Sequence, residues 1–421
     1  MAEVDRLPAP HLLVLSALFP SPARPTAGVF VRERMFRVAA HIPIVVVSPQ
    51  AWFPGQGLIR FFRLGYRPDA PRYEQQQGID IYRPRFLALP GVMRWLDGLS
   101  MAAGCFSLAR RLRRERGITL IDAHFGYPDG AAAVYLGRWL KLPVTITLRG
   151  TEVPHSRQPR LRQRLSKALR NADRVFSVSD SLRKLALSLG VAPDKTQVVG
   201  NGVDLTRFEP MDRTAARQQL GLPEHAQILI SVGALVERKG MHRVIACLPD
   251  LLKLHPDLHY VVVGAAGPEG DMRAELDAQV ARLGLAARVH FLGSIAPDEL
   301  KWPLSAADVF VLATRNEGWA NVFLEAMACG LPVVTTDVGG NAEVVCRAEL
   351  GTVVPFDDQP ALQLALHQAL SRQWDSRVLR DYAIANAWEQ RVHTLVDAFE
   401  RLVLQQHDTR KLATQVAGWK S

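Results

Sequence analysis

The chain has 421 residues, 48% of them hydrophobic and 22% charged, an ordinary composition for a globular protein; the length exceeds one core, so two domains of about 200 residues each are expected. The net charge of +10 is unevenly placed: residues 1–200 carry 30 Lys and Arg against 14 Asp and Glu, and residues 201–421 carry 21 against 27. No apolar run reaches the roughly 18 residues of a membrane-spanning helix, and Cys105, Cys247, Cys329 and Cys346 show no C-x-x-C spacing, which argues against a structural zinc site or a disulfide framework and suits a reducing compartment.

Both halves alternate short apolar runs with helical patterns, the signature of parallel sheets covered by helices and so of an α/β fold. In the first half we expect strands at 12–17, 44–48, 118–123, 144–148 and 175–178. The run 12–19 lies between Pro10 and Pro20 and lacks a basic leader, so it reads as the first strand and not as a signal peptide. Residues 50–75, rich in Pro, Gly and aromatics, read as an irregular surface excursion. The turn-rich run Gly200, Asn201, Gly202, Val203, Asp204 reads as a hinge between domains 1–200 and 201–385. In the second half strands are expected at 228–232, 260–263, 289–292, 309–312, 333–335 and 352–354. Trp388, Val392, Leu395, Val396, Phe399 and Leu402 recur at helical spacing, predicting a helix over 386–404 that packs back on the first domain, with 405–421 as a tail.

Ligands of open parallel sheets bind beyond the carboxyl ends of the strands. The predicted ends carry Gly28 in the loop after the first strand, then His124 and Arg149–Gly150–Thr151–Glu152 in the first half. In the second half they carry Gly233 with Glu237–Arg238–Lys239–Gly240, then Gly264, then Arg315–Asn316–Glu317–Gly318. Basic groups, backbone amides and carboxylates gathered in a cleft suit a phosphate joined to a polyhydroxylated group. Glu317 is on a loop, and a helix predicted to start near Asn321 carries Glu325 one turn in. The amides of a helix start bind anions, and a carboxylate accepts from both hydroxyls of a diol. Arg238 and Lys239 supply a planar fork and a point charge for phosphate. No D-x-D triplet occurs.

These motifs resemble those of glycosyltransferase family 4. The likeness rests on Glu317-x7-Glu325, on Glu325–Ala–Met–Ala–Cys–Gly330 followed by Leu–Pro–Val–Val, and on Thr336–Asp–Val–Gly–Gly340. Gly233 with Glu237 to Gly240, Asn201 to Asp204 with Arg207–Phe208, and Gly28 to Glu33 add to it. The resemblance implies a GT-B fold of two Rossmann-like domains facing across a cleft, the second holding the donor. It implies a retaining transfer from a nucleotide-diphosphate sugar, which we expect to be UDP- or GDP-linked; with no D-x-D triplet to hold a divalent ion and Arg238 and Lys239 to serve in its place, neither a metal nor a further cofactor is expected. It assigns Arg238 and Lys239 to the leaving diphosphate, Glu317 and His124 to the sugar, Glu325 to the ribose, and the amides near Asn321 and Val322 to phosphate. Gly28, Gly233 and Gly264 fall on the donor side. Where the family often has His–Gly after a first-domain strand, this chain has Arg149–Gly150.

Arg157, Arg160, Arg162, Arg164, Lys167 and Arg170 form a stretch with no acidic residue between Val153 and Ala172. With Arg149 it marks an acceptor or membrane side: anionic lipid or a lipid-linked phosphate is the expected partner, and nucleic acid is not, since no motif supports it. The apolar-basic run 58–64 is a second surface candidate. The sequence reading is therefore a cytoplasmic transferase, peripheral on the inner membrane face, building a polysaccharide or glycolipid. A nucleotide-sugar epimerase on the same fold and a membrane-bound scaffold without turnover are the alternatives.

Overall fold

The structure is a computed structural model that describes residues 9–25, 27–62, 66–89, 91–267 and 269–418. The chain divides into two compact units, residues 1–200 with 389–421, and residues 201–388.

The first unit contains β1 (Leu12–Leu15), β2 (Ile44–Val47), β3 (Gln50–Trp52), β4 (Tyr73–Gln76), β5 (Ile79–Tyr82), β6 (Arg85–Leu87), β7 (Leu120–His124), β8 (Val144–Leu148), β9 (Arg174–Ser177) and β10 (Thr196–Val198). Eight of these form one sheet in the order β10-β9-β8-β7-β1-β2-β5-β4, while β3 and β6 pair separately. All pairs are parallel except β4 with β5. The central strands β1, β7 and β8 are buried at every residue, as expected for parallel strands covered on both faces. The chain builds outward from β1 through β2 and β5, then returns to lay down β7 and its successors. The order therefore reverses between β1 and β7, and a crevice opens there at the strand ends.

Residues 50–75 are more regular than their composition implies. They form β3, the helix Gln56–Phe62 and the start of β4. The β4–β5 hairpin turns through Gln77 and Gly78, at φ of 49° and 81°, the left-handed pair that a two-residue hairpin demands. As an edge strand with the polar sequence Tyr-Glu-Gln-Gln, β4 has no apolar alternation to betray it. Residues 63 and 64 of the apolar-basic run 58–64 lie outside the described residues, whereas Leu58 and Phe62 are exposed.

The C-terminal helix runs from Trp388 to Gly418, so most of the stretch expected to be a tail is helical. Its Val392, Leu395, Val396 and Phe399 are buried in one cluster with Leu12, Val14 and Phe176 of the first unit. Phe399 meets Phe176 edge to face at 5.9 Å.

The second unit contains β11 (Gln227–Val232), β12 (Leu258–Val263), β13 (Val289–Gly293), β14 (Val309–Leu312), β15 (Val333–Thr336) and β16 (Gly351–Val354). All are parallel, in the order β13-β12-β11-β14-β15-β16. Counted from β11 this is 3-2-1-4-5-6, the Rossmann order, whose reversal point lies between its first and fourth strands, here β11 and β14. At its border Val203 pairs with Ala387, and Val203 N–H donates to the Asn386 carbonyl at 3.2 Å. Among the described residues no helix is long and apolar enough to cross a membrane.

Candidate active site

At the β11–β14 reversal point the second unit gathers its charged groups. β11 ends at Val232, Gly233 follows it, and a single turn of 3-10 helix, Glu237–Lys239, comes next. The aliphatic stem of Lys239 lies against Gly233, where an added Cβ would stand 3.4 Å from its Cε. Gly264, at the end of β12, presses on the same strand end: a Cβ there would fall 1.8 Å from the Gly233 carbonyl oxygen, which excludes any side chain. The loop after β14 brings Glu317 to meet both cations. Lys239 Nζ donates to Glu317 Oε1 at 2.6 Å, and Arg238 Nη1 donates to the same oxygen at 3.2 Å. The Thr314 hydroxyl stands 3.3 Å from that oxygen and donates to the Arg238 carbonyl at 3.0 Å. The Glu317 backbone is pinned by Gly339 at φ 56°, where a Cβ would sit 1.7 Å from the Glu317 carbonyl oxygen.

Arg238 has a second partner that the sequence did not disclose. Glu269, in the loop after Gly264, accepts through Oε1 from Nη2 at 2.7 Å and from Nε at 2.9 Å, and through Oε2 from Nε at 3.1 Å. Burial works to lower the Arg238 pKa, but the bonds to Glu269 and the charge of Glu317 outweigh it and raise it. The same bond holds the Glu269 carboxyl below its ordinary value.

The helix Asn321–Ala328 begins after this loop with no side chain capping its N-terminus. Asn321 uses its side-chain oxygen to accept from Asn201 at 2.8 Å. Val322 is partly buried at this start, and Glu325, partly buried, is on the same helix face as Asn321 one turn later.

In the first unit, β7 ends at His124, which is fully buried. Arg149, just past β8, donates from Nε to His124 Nδ1 at 3.1 Å. An accepting Nδ1 leaves the ring proton on Nε2, which stands 3.3 Å from Asp122 Oδ2. Burial is the main cause that pushes the His124 pKa down to about 4, so the ring is neutral at pH 7. Burial and the neighbouring Arg34 likewise lower Arg149. The Arg149 guanidinium covers the Phe30 ring at 5.1 Å, and Phe30 opens the helix that Gly28 precedes. Gly28 itself packs on the Leu18 carbonyl, where a Cβ would fall 2.2 Å from the oxygen.

Two carboxylates organise these loops and were missed as site residues. Glu152 is fully buried and accepts from the amides of Gly126 at 2.8 Å, Gly150 at 2.8 Å and Arg149 at 3.1 Å. It therefore clamps the loop after β7 to the loop after β8. Asp129 accepts from the Ala17 amide beyond β1, and burial raises its pKa to about 7. An acid two residues after a strand-end glycine was a readable signal for Glu152; Asp129 offered none.

Arg157, Arg160 and Arg162 are exposed, as is Lys167, while Arg164 is half-buried over the Trp95 ring at 5.2 Å. Thus the structure joins Arg238, Lys239, Glu317 and Gly233 in one unit, and His124 with Arg149 in the other. Among the described residues no group of three or more His, Cys, Asp or Glu is placed to hold a metal ion.

Two family models match the chain: Glycosyltransferase Family 4 over residues 30–207 and Glycosyl transferases group 1 over residues 212–387. The putative teichuronic acid biosynthesis glycosyltransferase TuaC of Bacillus subtilis is 27% identical over 379 residues, 88% of this chain and 92% of that protein. A D-inositol 3-phosphate glycosyltransferase of Geodermatophilus obscurus is 37% identical over 235 residues, 54% of this chain and 52% of that one. Among solved structures, sucrose-phosphate synthase from Thermosynechococcus elongatus superposes with a TM-score of 0.69 at 21% identity, covering 97% of this chain and 100% of that chain. Anabaena HepE in complex with UDP-glucose gives 0.66 at 19% identity, covering 95% and 99%. Two Rossmann-like parallel-sheet units with such neighbours define the GT-B fold of glycosyltransferases. The chain belongs to glycosyltransferase family 4.

Proposed function

We propose that this glycosyltransferase moves a hexose-type sugar, with retained anomeric configuration and without a metal ion, from a nucleotide-diphosphate sugar to an acceptor in cell-surface glycan synthesis. The observation that carries the reading is the pair Arg238–Lys239, set on Glu317 at the reversal point of a Rossmann-ordered sheet. The solved complexes of HepE with UDP and with UDP-glucose favour a uridine or similar diphosphate, and the TuaC likeness favours a surface polymer.

When the bond from sugar C1 to the diphosphate oxygen breaks, its electron pair leaves with the diphosphate and positive charge develops on the ring. Fixed cations aimed at the leaving oxygens stabilise that state, each donor contributing about 2.7–4 kcal/mol in comparable oxyanion sites. Arg238 and Lys239 fill this role, exchanging a carboxylate partner for phosphate. The acceptor oxygen bonds C1 on the face the diphosphate leaves, and its proton passes to a leaving phosphate oxygen. Glu325 takes the ribose diol, and the uncapped helix start at Asn321 and Val322 receives phosphate. His124, neutral with its proton on Nε2, serves the sugar side as an uncharged group.

The test is thermal protection by UDP, GDP, ADP and TDP, measured on wild type and on Glu325→Ala. A ligand at 100 times its Kd stabilises by about 2.7 kcal/mol. One diphosphate is expected to protect wild type and not the variant. A folded wild type that none of them protects refutes the reading.

A further inference from the structure

The first unit holds an apolar groove that the transfer chemistry leaves unexplained. Trp95, Leu99, Tyr127, Val134 and Tyr135 line it, between the helices Ala131–Leu140 and Pro159–Arg170 and the start of Asp97–Arg116; its cavity volume is about 90 Å³ and it opens to solvent. Tyr127, three residues past His124 at the end of β7, is the most buried of its aromatic lining residues. Such a lining suits hydrocarbon, and the basic rim decides which kind. Arg138, Arg164 and Lys167 border it. Neither helix wall contains a single Asp or Glu. Among the described residues, none of Arg160, Arg162, Arg164, Lys167 and Arg170 forms an ion pair. Asp97, between lining residues, already faces Arg94 and Arg67.

The helix Pro159–Arg170 is built for a surface. Leu161, Leu165, Ala168 and Leu169 are buried at helical spacing, which turns its cations outward. Beside the groove the turn leading to Trp95 exposes Leu89, Val92 and Met93, at 42%, 56% and 47%, and Leu99 and Trp139 are exposed at 43% and 44%. Exposed aliphatic and indole groups beside an unpaired basic face are what a protein presents to the headgroup region of an anionic bilayer.

We infer that this groove takes a hydrocarbon chain of a phosphate-headed membrane lipid, whose phosphate meets Arg164 and Lys167, and that it docks the first unit on an anionic membrane surface. The assignment goes beyond the transferase reading and stands or falls separately from it.

The experiment is flotation with vesicles of phosphatidylcholine alone and vesicles enriched in phosphatidylglycerol carrying brominated acyl chains, which quench nearby indoles. Wild type is expected to float only with the anionic vesicles. Each basic residue near such a surface is worth about a factor of five, so Arg160→Gln/Arg164→Gln/Lys167→Gln weakens binding by about 100-fold. Trp95→Phe is expected to lose part of the bromine-quenched fluorescence while still floating. Equal binding by the triple variant, equal quenching in Trp95→Phe, or tighter binding to single-stranded RNA than to vesicles overturns the inference. Thermal protection by nucleotide, run on the same triple variant, separates the two readings: loss of flotation with protection retained is the supporting result. No flotation of a wild type that nucleotide does protect sinks the groove and spares the transferase.

Discussion

Arg238 and Lys239 are each held by a carboxylate, whereas the five cations of the helix Pro159–Arg170 have none among the described residues. The two regions carry the same sign of charge for different ends. At β11 the partners Glu317 and Glu269 fix where the cations point, and any anion must displace them, so the site gives up attraction for orientation. On the helix no carboxylate among the described residues fixes the cations, though Arg164 rests on the Trp95 ring; they attract at a distance and tolerate many arrangements of anions. A third treatment occurs at the end of β7 and β8, where burial, not pairing, suppresses charge on His124 and lowers Arg149.

The largest expected effect separates the first two regions. Lys239→Ala removes a cation that the proposed mechanism aims at the leaving diphosphate, and the rate of nucleoside diphosphate release from the donor should fall about 100- to 1,000-fold. The melting temperature should change little, because Glu317 keeps Arg238 as a partner when the Lys239 amine is lost and so is not left an unpaired charge. Charge-removing changes on the basic helix should leave nucleotide protection intact. A Lys239→Ala chain that is unfolded where wild type is folded would mean that the pair holds the loops together and does not wait for a ligand.

Titration sharpens the contrast with the buried groups. The His124 pKa is about 4 in the folded chain against an ordinary 6.5. Below pH 6.5 the unfolded chain binds a proton that the folded one refuses. Stability is lost as pH falls, by about 3 kcal/mol once pH 4 is reached. Asp129 works in the opposite sense. Its folded pKa is about 7 against 3.8, so the folded chain keeps a proton that the unfolded one releases, and stability is gained as pH falls from 7 towards 4. The two nearly cancel in wild type. Denaturant unfolding of Asp129→Asn should therefore show a steeper acid loss between pH 6.5 and 4 than wild type, and His124→Asn a shallower one. Parallel pH profiles for all three chains would mean that neither group is desolvated as the fold implies.

The sequence disclosed these regions unequally, for physical reasons. Glycines at strand ends and a regular βαβ rhythm made β11, β12 and β14 and their loops readable, because buried parallel strands are continuous apolar runs. Lys239 and Glu317 could be named as neighbours, since adjacent strands in this order bring their following loops together. Glu269 could not: it is in a loop whose path no period describes, and only the fold puts it on Arg238. Asp122 was visible as a charge inside the apolar strand Leu-Ile-Asp-Ala-His, yet its partner Thr145 belongs to the next strand and is known only from the register. The polar edge strand β4 and the pair β3–β6 escaped because pattern reading looks for alternation that edge strands need not have.

The smallest effect probes the paired site most directly. If Glu269 occupies Arg238 until phosphate arrives, neutralising it removes a competitor without touching the cations. An exposed ion pair of this kind contributes at most about 1 kcal/mol, and the Glu269 side chain is 51% exposed. Glu269→Gln should then tighten binding of the preferred nucleoside diphosphate by no more than about fivefold, measured by calorimetry, with the gain fading as salt screens the pair. The same change should leave vesicle flotation unaltered, since Glu269 and the basic helix belong to different units. Weaker binding in the variant would reverse the assignment: Glu269 would be aligning the guanidinium for phosphate, and the pairing at β11 would be preorganisation instead of competition.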